Sequence, residues 1–138
     1  MATETSSLAR RWFEEVWVQR RAETIDELVD ADSVCHGDDG PVQGPDGFKQ
    51  QFYEPMVAAF PDLQVQVEAV IAEGDQAVVR WSAVGTHSGD GLGFPATGEA
   101  ASFRGLTWMQ VRDGRLGVGW QSSNIPEVLR TLAEKANP

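Results

Sequence analysis

Apolar residues recur every three or four positions over residues 5–20, where Leu8, Trp12, Phe13, Val16 and Trp17 form one stripe flanked by Arg10, Arg11, Glu14 and Glu15. That spacing predicts an amphipathic helix with a heavily aromatic face. A shorter helix is predicted over Glu23 to Val29, and Ser33 to His36 reads as extended ahead of a turn-rich stretch, Gly37 to Asp46. Phe48, Phe52, Met56 and Ala59 share one face of a third helix, from about Pro45 to Phe60, with a kink at Pro55 and a stop at Pro61. From Leu63 the period becomes two. Leu63, Val65, Val67, Ala69 and Ile71 alternate with Gln64, Gln66 and Glu68, so the first set is expected on the buried face of a strand. Glu73-Gly74-Asp75 reads as its turn, residues 76 to 87 as the returning strand and Ser88 to Thr97 as a loop. A third long strand spans about Glu99 to Arg112, and Asp113-Gly114 links it to Arg115 to Ser122 through a type I′ hairpin turn, whose two central positions both need positive φ. Pro126 opens a last helix, Glu127 to Lys135.

Two helices, a short strand, a helix, four long antiparallel strands and a helix predict an α+β fold. In it a curved antiparallel sheet is wrapped by three to four helices within one domain, residues 1–138. A sheet of that shape can enclose an apolar cavity. Counting outward from Asp113-Gly114 pairs Arg112 with Arg115, Val111 with Leu116, Met109 with Val118, Thr107 with Trp120 and Gly105 with Ser122. This register sets Phe103, Met109, Val118 and Trp120 on the cavity face, continues that parity to Asn124, and turns Leu106, Trp108 and Gln121 outward. A Trp and a Leu on an outer sheet face predict a homodimer through that face, around Trp108. Trp17, Phe48, Phe52, Trp81, Phe103 and Trp120 are candidates to stack on a small apolar or aromatic substrate. Parity leaves open whether Arg80 or Trp81 points inward.

Composition narrows the class further. The chain is 41% hydrophobic and 23% charged, enough apolar material for a folded core, and its net charge of −10 opposes contact with nucleic acid or an anionic membrane surface. The single Cys35 cannot form an internal disulfide, which fits a reducing cytoplasm. No stretch has the roughly 18 to 20 apolar residues of a membrane span, so a cytoplasmic domain is expected. A Gly-rich phosphate loop, a dinucleotide fingerprint, Cys/His metal spacing and a Gly-x-Ser-x-Gly elbow are all missing, so neither a metal nor a cofactor is expected.

Several segments, taken in order, resemble the SnoaL-like polyketide cyclases, a branch of the nuclear transport factor 2-like fold. They are Glu15-Val16-Trp17, Val34-Cys35-His36-Gly37, Gly44-Pro45-Asp46-Gly47-Phe48-Lys49 and Ala59-Phe60-Pro61-Asp62-Leu63. The series continues with Ile71-Ala72-Glu73-Gly74-Asp75, Arg80-Trp81, Gly85-Thr86-His87-Ser88-Gly89, Pro95-Ala96-Thr97-Gly98 and Asp113-Gly114-Arg115-Leu116 leading to Trp120. The resemblance covers roughly residues 12 to 132. It implies a cone-shaped cavity, a dimer and cofactor-free acid–base chemistry on polycyclic secondary metabolites, such as those of antibiotic biosynthesis, with an intramolecular aldol ring closure as the best-known reaction. The family's last strand carries Glu-x-Trp-x-x-x-Asp, whose Asp is the general base. Val118, Trp120 and Asn124 stand at those places here, so both acids are absent, and a carboxamide can only donate or accept hydrogen bonds.

The same resemblance makes His36 a cavity imidazole and the acid–base candidate, against the alternative of a structural His held by backbone. His87 is expected near the cavity mouth, either touching substrate or fixing a turn. Asn124 either holds a substrate carbonyl or developing oxyanion, or caps the last helix. Two functions follow: a cyclase or isomerase of a polyketide-like metabolite, with epoxide opening as a variant, or a non-catalytic pocket for a hydrophobic small molecule.

Overall fold

The computed structural model describes residues 2–137, so Met1 and Pro138 of the expected domain lie outside it. The aromatic stripe forms a helix, α1 (Ala2–Arg11), which widens into π-helical turns over Trp12–Val18 and buries Trp12, Phe13, Val16 and Trp17. It ends at Arg20, whose φ of 59° breaks the helical path. The Arg20 guanidinium then donates to the carbonyl of Leu63 at 2.9 Å. After α2 (Glu23–Leu28), the expected third helix runs as α3 (Gly44–Phe48), a π-helical segment (Lys49–Tyr53) and α4 (Glu54–Ala59). Pro55 has no N–H to give the carbonyl one turn back and its ring crowds that carbonyl, so the helix opens to π geometry just before it.

Six strands form one sheet: β1 (Val29–Gly37), β2 (Gly40–Gln43), β3 (Gln64–Glu73), β4 (Gln76–Thr86), β5 (Ala100–Arg112) and β6 (Arg115–Ser123), in the order β2-β1-β6-β5-β4-β3. A closing helix, α5 (Ile125–Ala136), follows β6. The fold is α+β as expected, with one correction: β1 pairs parallel with β6, so the sheet is mixed. The turn-rich stretch after His36 also contains β2, which folds back on β1. Asp113 and Gly114 have φ of 54° and 75°, as the type I′ turn requires. Among the described residues no helix is long and apolar enough to cross a membrane.

Parity along two strands differs from the simple alternation, and each time a bulge is the cause. In β3 the register shifts between Val67 and Ala69, so Val70 and Ala72 pack against the core and Ile71, expected inside, is 73% exposed. In β6 one extra residue is inserted beyond the Val111–Leu116 pair, after which Gln110 faces Val118, Met109 faces Gly119, Trp108 faces Trp120 and Thr107 faces Gln121. Every β6 side chain beyond that insertion, Val118 and Trp120 included, changes face relative to the expected register, while β5 keeps its own.

Candidate active site

Between the concave face of the sheet and the helices that cover it lies a chamber of about 90 Å³ that opens at one side. Its lining is overwhelmingly apolar and aromatic with a few polar groups, the character of a small-molecule site. Trp17, Phe48, Phe52 and Trp81 border it, and so do Phe103 and Met109 from β5, whereas Val118, expected on the cavity face, is turned by the β6 bulge to the face of Gln110 and reaches only the edge of the chamber. The aromatic walls brace one another edge to face, Trp12 on Phe48 at 5.3 Å, Trp17 on Phe52 at 5.7 Å and Trp17 on Tyr53 at 5.1 Å between ring centroids. The Tyr53 hydroxyl in turn donates to the carbonyl of Val16 at 3.1 Å, tying the covering helices together. Rings locked in this way present a fixed apolar surface with little ordering left to lose on binding.

Trp81 resolves the Arg80/Trp81 alternative. Its side chain is buried on the chamber side while Arg80 is exposed on the outer face. The residue across from Trp81 on β5 is Gly105, and a Cβ there would come within 2.5 Å of the indole and 2.8 Å of Ser123 Cβ. The bare backbone lets the indole lie flat along the strand, from where its Nε1–H donates to Thr107 Oγ1 at 2.9 Å. The Thr107 hydroxyl donates onward to Gln121 Oε1 in a long contact of 3.4 Å. This chain of three side chains crosses three strands and is the main polar feature of an otherwise greasy wall.

Two further polar residues border the chamber. Ser33 is spent on structure: its hydroxyl accepts from the Asp30 amide at 2.9 Å and donates to the Leu116 carbonyl at 2.6 Å. Cys35 lies between chamber and mouth, and its thiol is pushed up to about 11 by burial and then by the nearby Asp38 carboxylate. Such a thiol stays protonated and is a poor nucleophile near neutrality. The mouth is edged by Asp38, Asp39, Gln51 and Pro126. Asp38 clamps the β1–β2 turn to the end of β6, accepting from the Ser123 amide at 2.9 Å and hydroxyl at 2.6 Å.

Four expected site residues lie elsewhere. His36 is exposed on the outer face of β1, because its neighbour Cys35 takes the inward position, and its ring stacks on Trp120 at 6.0 Å. Trp120 is itself turned outward by the β6 bulge and packs against Trp108 at 5.9 Å. Asn124 does not border the chamber. Its Oδ1 accepts from the Arg104 amide at 2.8 Å and its Nδ2 donates to the Ser102 carbonyl at 3.4 Å, so the side chain fastens the start of α5 to β5, and it makes no side-chain cap. His87 is wholly buried away from the chamber, against Phe60 and Phe94, with Nδ1 accepting from the Thr97 amide at 3.2 Å. It pins the 88–99 loop, the turn-fixing alternative. Conversely, Cys35 is not among the expected chamber residues and Gln121 is expected on the outer face, whereas Thr107 keeps the cavity face that the hairpin register gives it. The glycines at 117 and 119, just after the hairpin turn, were the available signal, since a Gly inside a strand pattern often marks a bulge.

A profile of the SnoaL-like polyketide cyclases matches residues 7–132. No curated protein sequence matches the chain. Among solved structures, AclR from Streptomyces galilaeus, named as a candidate hydroxylase, is 25% identical, with 97% of this chain and 83% of that one covered and a TM-score of 0.82. IdmH from Streptomyces antibioticus, named as a candidate polyketide cyclase, is 28% identical over 93% of this chain and 97% of its own, with a TM-score of 0.75. A SnoaL-like protein from Jannaschia sp. CCS1 shares the fold at a TM-score of 0.85 and 24% identity, covering 99% of this chain and 95% of that one.

Proposed function

This chain belongs to the SnoaL-like polyketide cyclase family, and we propose that it is a cofactor-independent cyclase or isomerase of a flat, polyketide-like secondary metabolite. The observation that carries this reading is the chamber wall: rigid, aromatic, and among the described residues free of Asp, Glu, His, Lys and Arg. A wall without a strong base favours reactions in which holding one folded conformer does most of the work. Intramolecular ring closure is such a reaction, because orientation alone can lower a barrier by about 7–11 kcal/mol in well-aligned cases. An aldol closure is an isomerisation: the proton leaving carbon returns to the new alkoxide, by way of water at the mouth, and no co-reactant is consumed. Opening of an epoxide by an internal hydroxyl balances in the same way.

The same bare wall favours a second reading, a pocket that binds or sequesters a hydrophobic small molecule without turning it over. The two separate in one experiment. An anthraquinone bearing a β-keto ester side chain poised for ring closure is incubated with the protein and followed by mass spectrometry. Acceleration of on the order of a hundredfold over buffer, abolished by filling the chamber with Met109→Trp, supports the cyclase. Saturable binding with closure at the buffer rate overturns it and leaves the binding reading.

We propose further that the working unit is a homodimer formed through the outer face of the sheet, around Trp108, with the small apolar ligand and a second copy of the chain as the partners.

A further inference from the structure

We propose that Gln121 is a pre-oriented hydrogen-bond donor for a ligand oxygen, so that the chamber selects flat molecules bearing a carbonyl or enolate oxygen over hydrocarbons of the same shape; this rests on the small-molecule role of the chamber. An indole N–H can only donate, and that of Trp81 donates to Thr107 Oγ1 at 2.9 Å. The buried Thr107 hydroxyl has one proton of its own to place, and the acceptor set directly across the strands is Gln121 Oε1. Turning the Gln121 amide over would aim its NH₂ at Thr107 and leave that hydroxyl proton without an acceptor in a nearly dry environment, which is costly. The donor at the head of the chain cannot swing away, because Trp81 is wedged over Gly105.

Polarity therefore runs one way, from Trp81 through Thr107 to the Gln121 carbonyl oxygen. The Gln121 amide nitrogen makes no hydrogen bond among the described residues. Gln121 borders both the chamber and its mouth, so this donor meets whatever enters. A ligand with an acceptor oxygen at that depth pairs it, whereas a hydrocarbon strips water from the amide and returns nothing. The same geometry suits an oxygen on which negative charge develops during ring closure, since the donor is already aimed and needs no reorganisation.

The test uses two probes of closely similar shape, 9-fluorenone and fluorene, which differ by one carbonyl oxygen. Each is titrated into the intact protein by quenching of tryptophan fluorescence and by calorimetry, with affinities corrected for partitioning between water and hydrocarbon. The wild type is expected to prefer fluorenone by roughly tenfold, the order of one well-made hydrogen bond. Gln121→Leu brings the two affinities within about twofold. Thr107→Val frees the amide to turn and lowers the preference, while Thr107→Ser, which keeps the hydroxyl, restores it. A merely structural role for the chain would lower the melting temperature of Thr107→Val and leave the ratio of affinities unchanged, which counts against the proposal. A preference that survives Gln121→Leu, or its absence in the wild type, overturns the role of Gln121 while the chamber stands. Failure of both probes to bind overturns the chamber's role as well.

Discussion

Cys35 carries the one thiol of the chain, and its neighbours set its chemistry. Burial, then the Asp38 carboxylate, push its pKa to about 11, so at pH 8 its thiolate fraction falls on the order of a hundredfold below that of an ordinary thiol. Alkylation by iodoacetamide, followed by mass spectrometry, should therefore be very slow at pH 8 and gain close to tenfold per pH unit until the pH passes the thiol's own value. Because Cys35 borders the chamber and the mouth alike, saturating 9-fluorenone should protect it further. Fast alkylation at pH 7 would show the thiol to be activated and would return a nucleophile to a wall that otherwise offers none. At this scale the sequence was informative about kind and less so about direction. Trp17, Phe48, Phe52 and Phe103 were assigned to the chamber from helical or strand spacing, because large apolar residues at core spacing have one low-energy place to go. His36 and Asn124 were assigned from a resemblance whose carboxylates this chain lacks. Each turns out to serve its own strand or helix end, one stacked on Trp120 and the other hydrogen-bonded to β5.

Helices α1 and α2 are joined by partly exposed ion pairs as well as by packing, and these add a modest acid limb to the fold's stability. Glu15 accepts from the Thr24 hydroxyl at 2.7 Å and from Arg11 at 2.9 Å, and Glu27 accepts from Arg21 at 2.8 Å. The Thr24 hydrogen bond, then Arg11, hold Glu15 below the usual glutamate range, and Arg21 does the same for Glu27. A carboxylate whose folded pKa is lowered lends stability that is complete above its unfolded value and is lost as the pH falls through the folded one. Urea midpoints should therefore fall as the pH drops below the ordinary glutamate range and through the lowered folded values. Glu15→Gln should be less stable than wild type at pH 7 and lose less on acidification; identical acid limbs in the two proteins would remove Glu15 from the account. The length and type of most elements were legible because hydrophobic period and turn chemistry agree: the Asp113-Gly114 turn and the aromatic helix fall where expected. What was not legible is how the strands slip past one another. Period-two reasoning carries parity outward from a turn without loss only while no residue is inserted, and two bulges intervene. The one in β6 replaces Trp120 by Gln121 on the chamber side, so it alone changes which chemistry the site can do. The parallel pairing of β1 with β6 was hidden for a related reason, since it joins segments far apart in sequence and leaves no local signature.

At the scale of the whole molecule, the outward turn of Trp120 strengthens the case for a second copy. The β6 bulge aligns Val78, Trp108, Trp120, His36 and Pro41 in one cross-strand row over five strands. Leu106 lies beside Trp108 on the same face, Val84 stands apart beyond the Ser82–Arg104 pair, and with the two tryptophans they are between 42% and 51% exposed. A row of half-exposed apolar side chains on an otherwise acidic protein is the kind of surface that interaction sites use, and it supports the proposed dimer face. Two chains of net charge −10 repel as they approach, so the contact needs a local region where that field is weak. Two cations on the outer face offset part of it: Arg80 lies across from Leu106 and Arg104 across from Ser82, whose hydroxyl donates to the Glu68 carboxylate, and neither guanidinium has an ion-pair partner among the described residues. Sedimentation equilibrium on the order of 10 μM should give twice the chain mass, and Trp108→Glu, which adds like charge to both sides of a two-fold contact, should give the monomer. Added salt should tighten the wild-type dimer, because it screens the long-range repulsion and leaves the apolar contact intact. A wild type that sediments as a monomer, or a dimer that salt dissociates, would mean that the tryptophan row serves some other purpose.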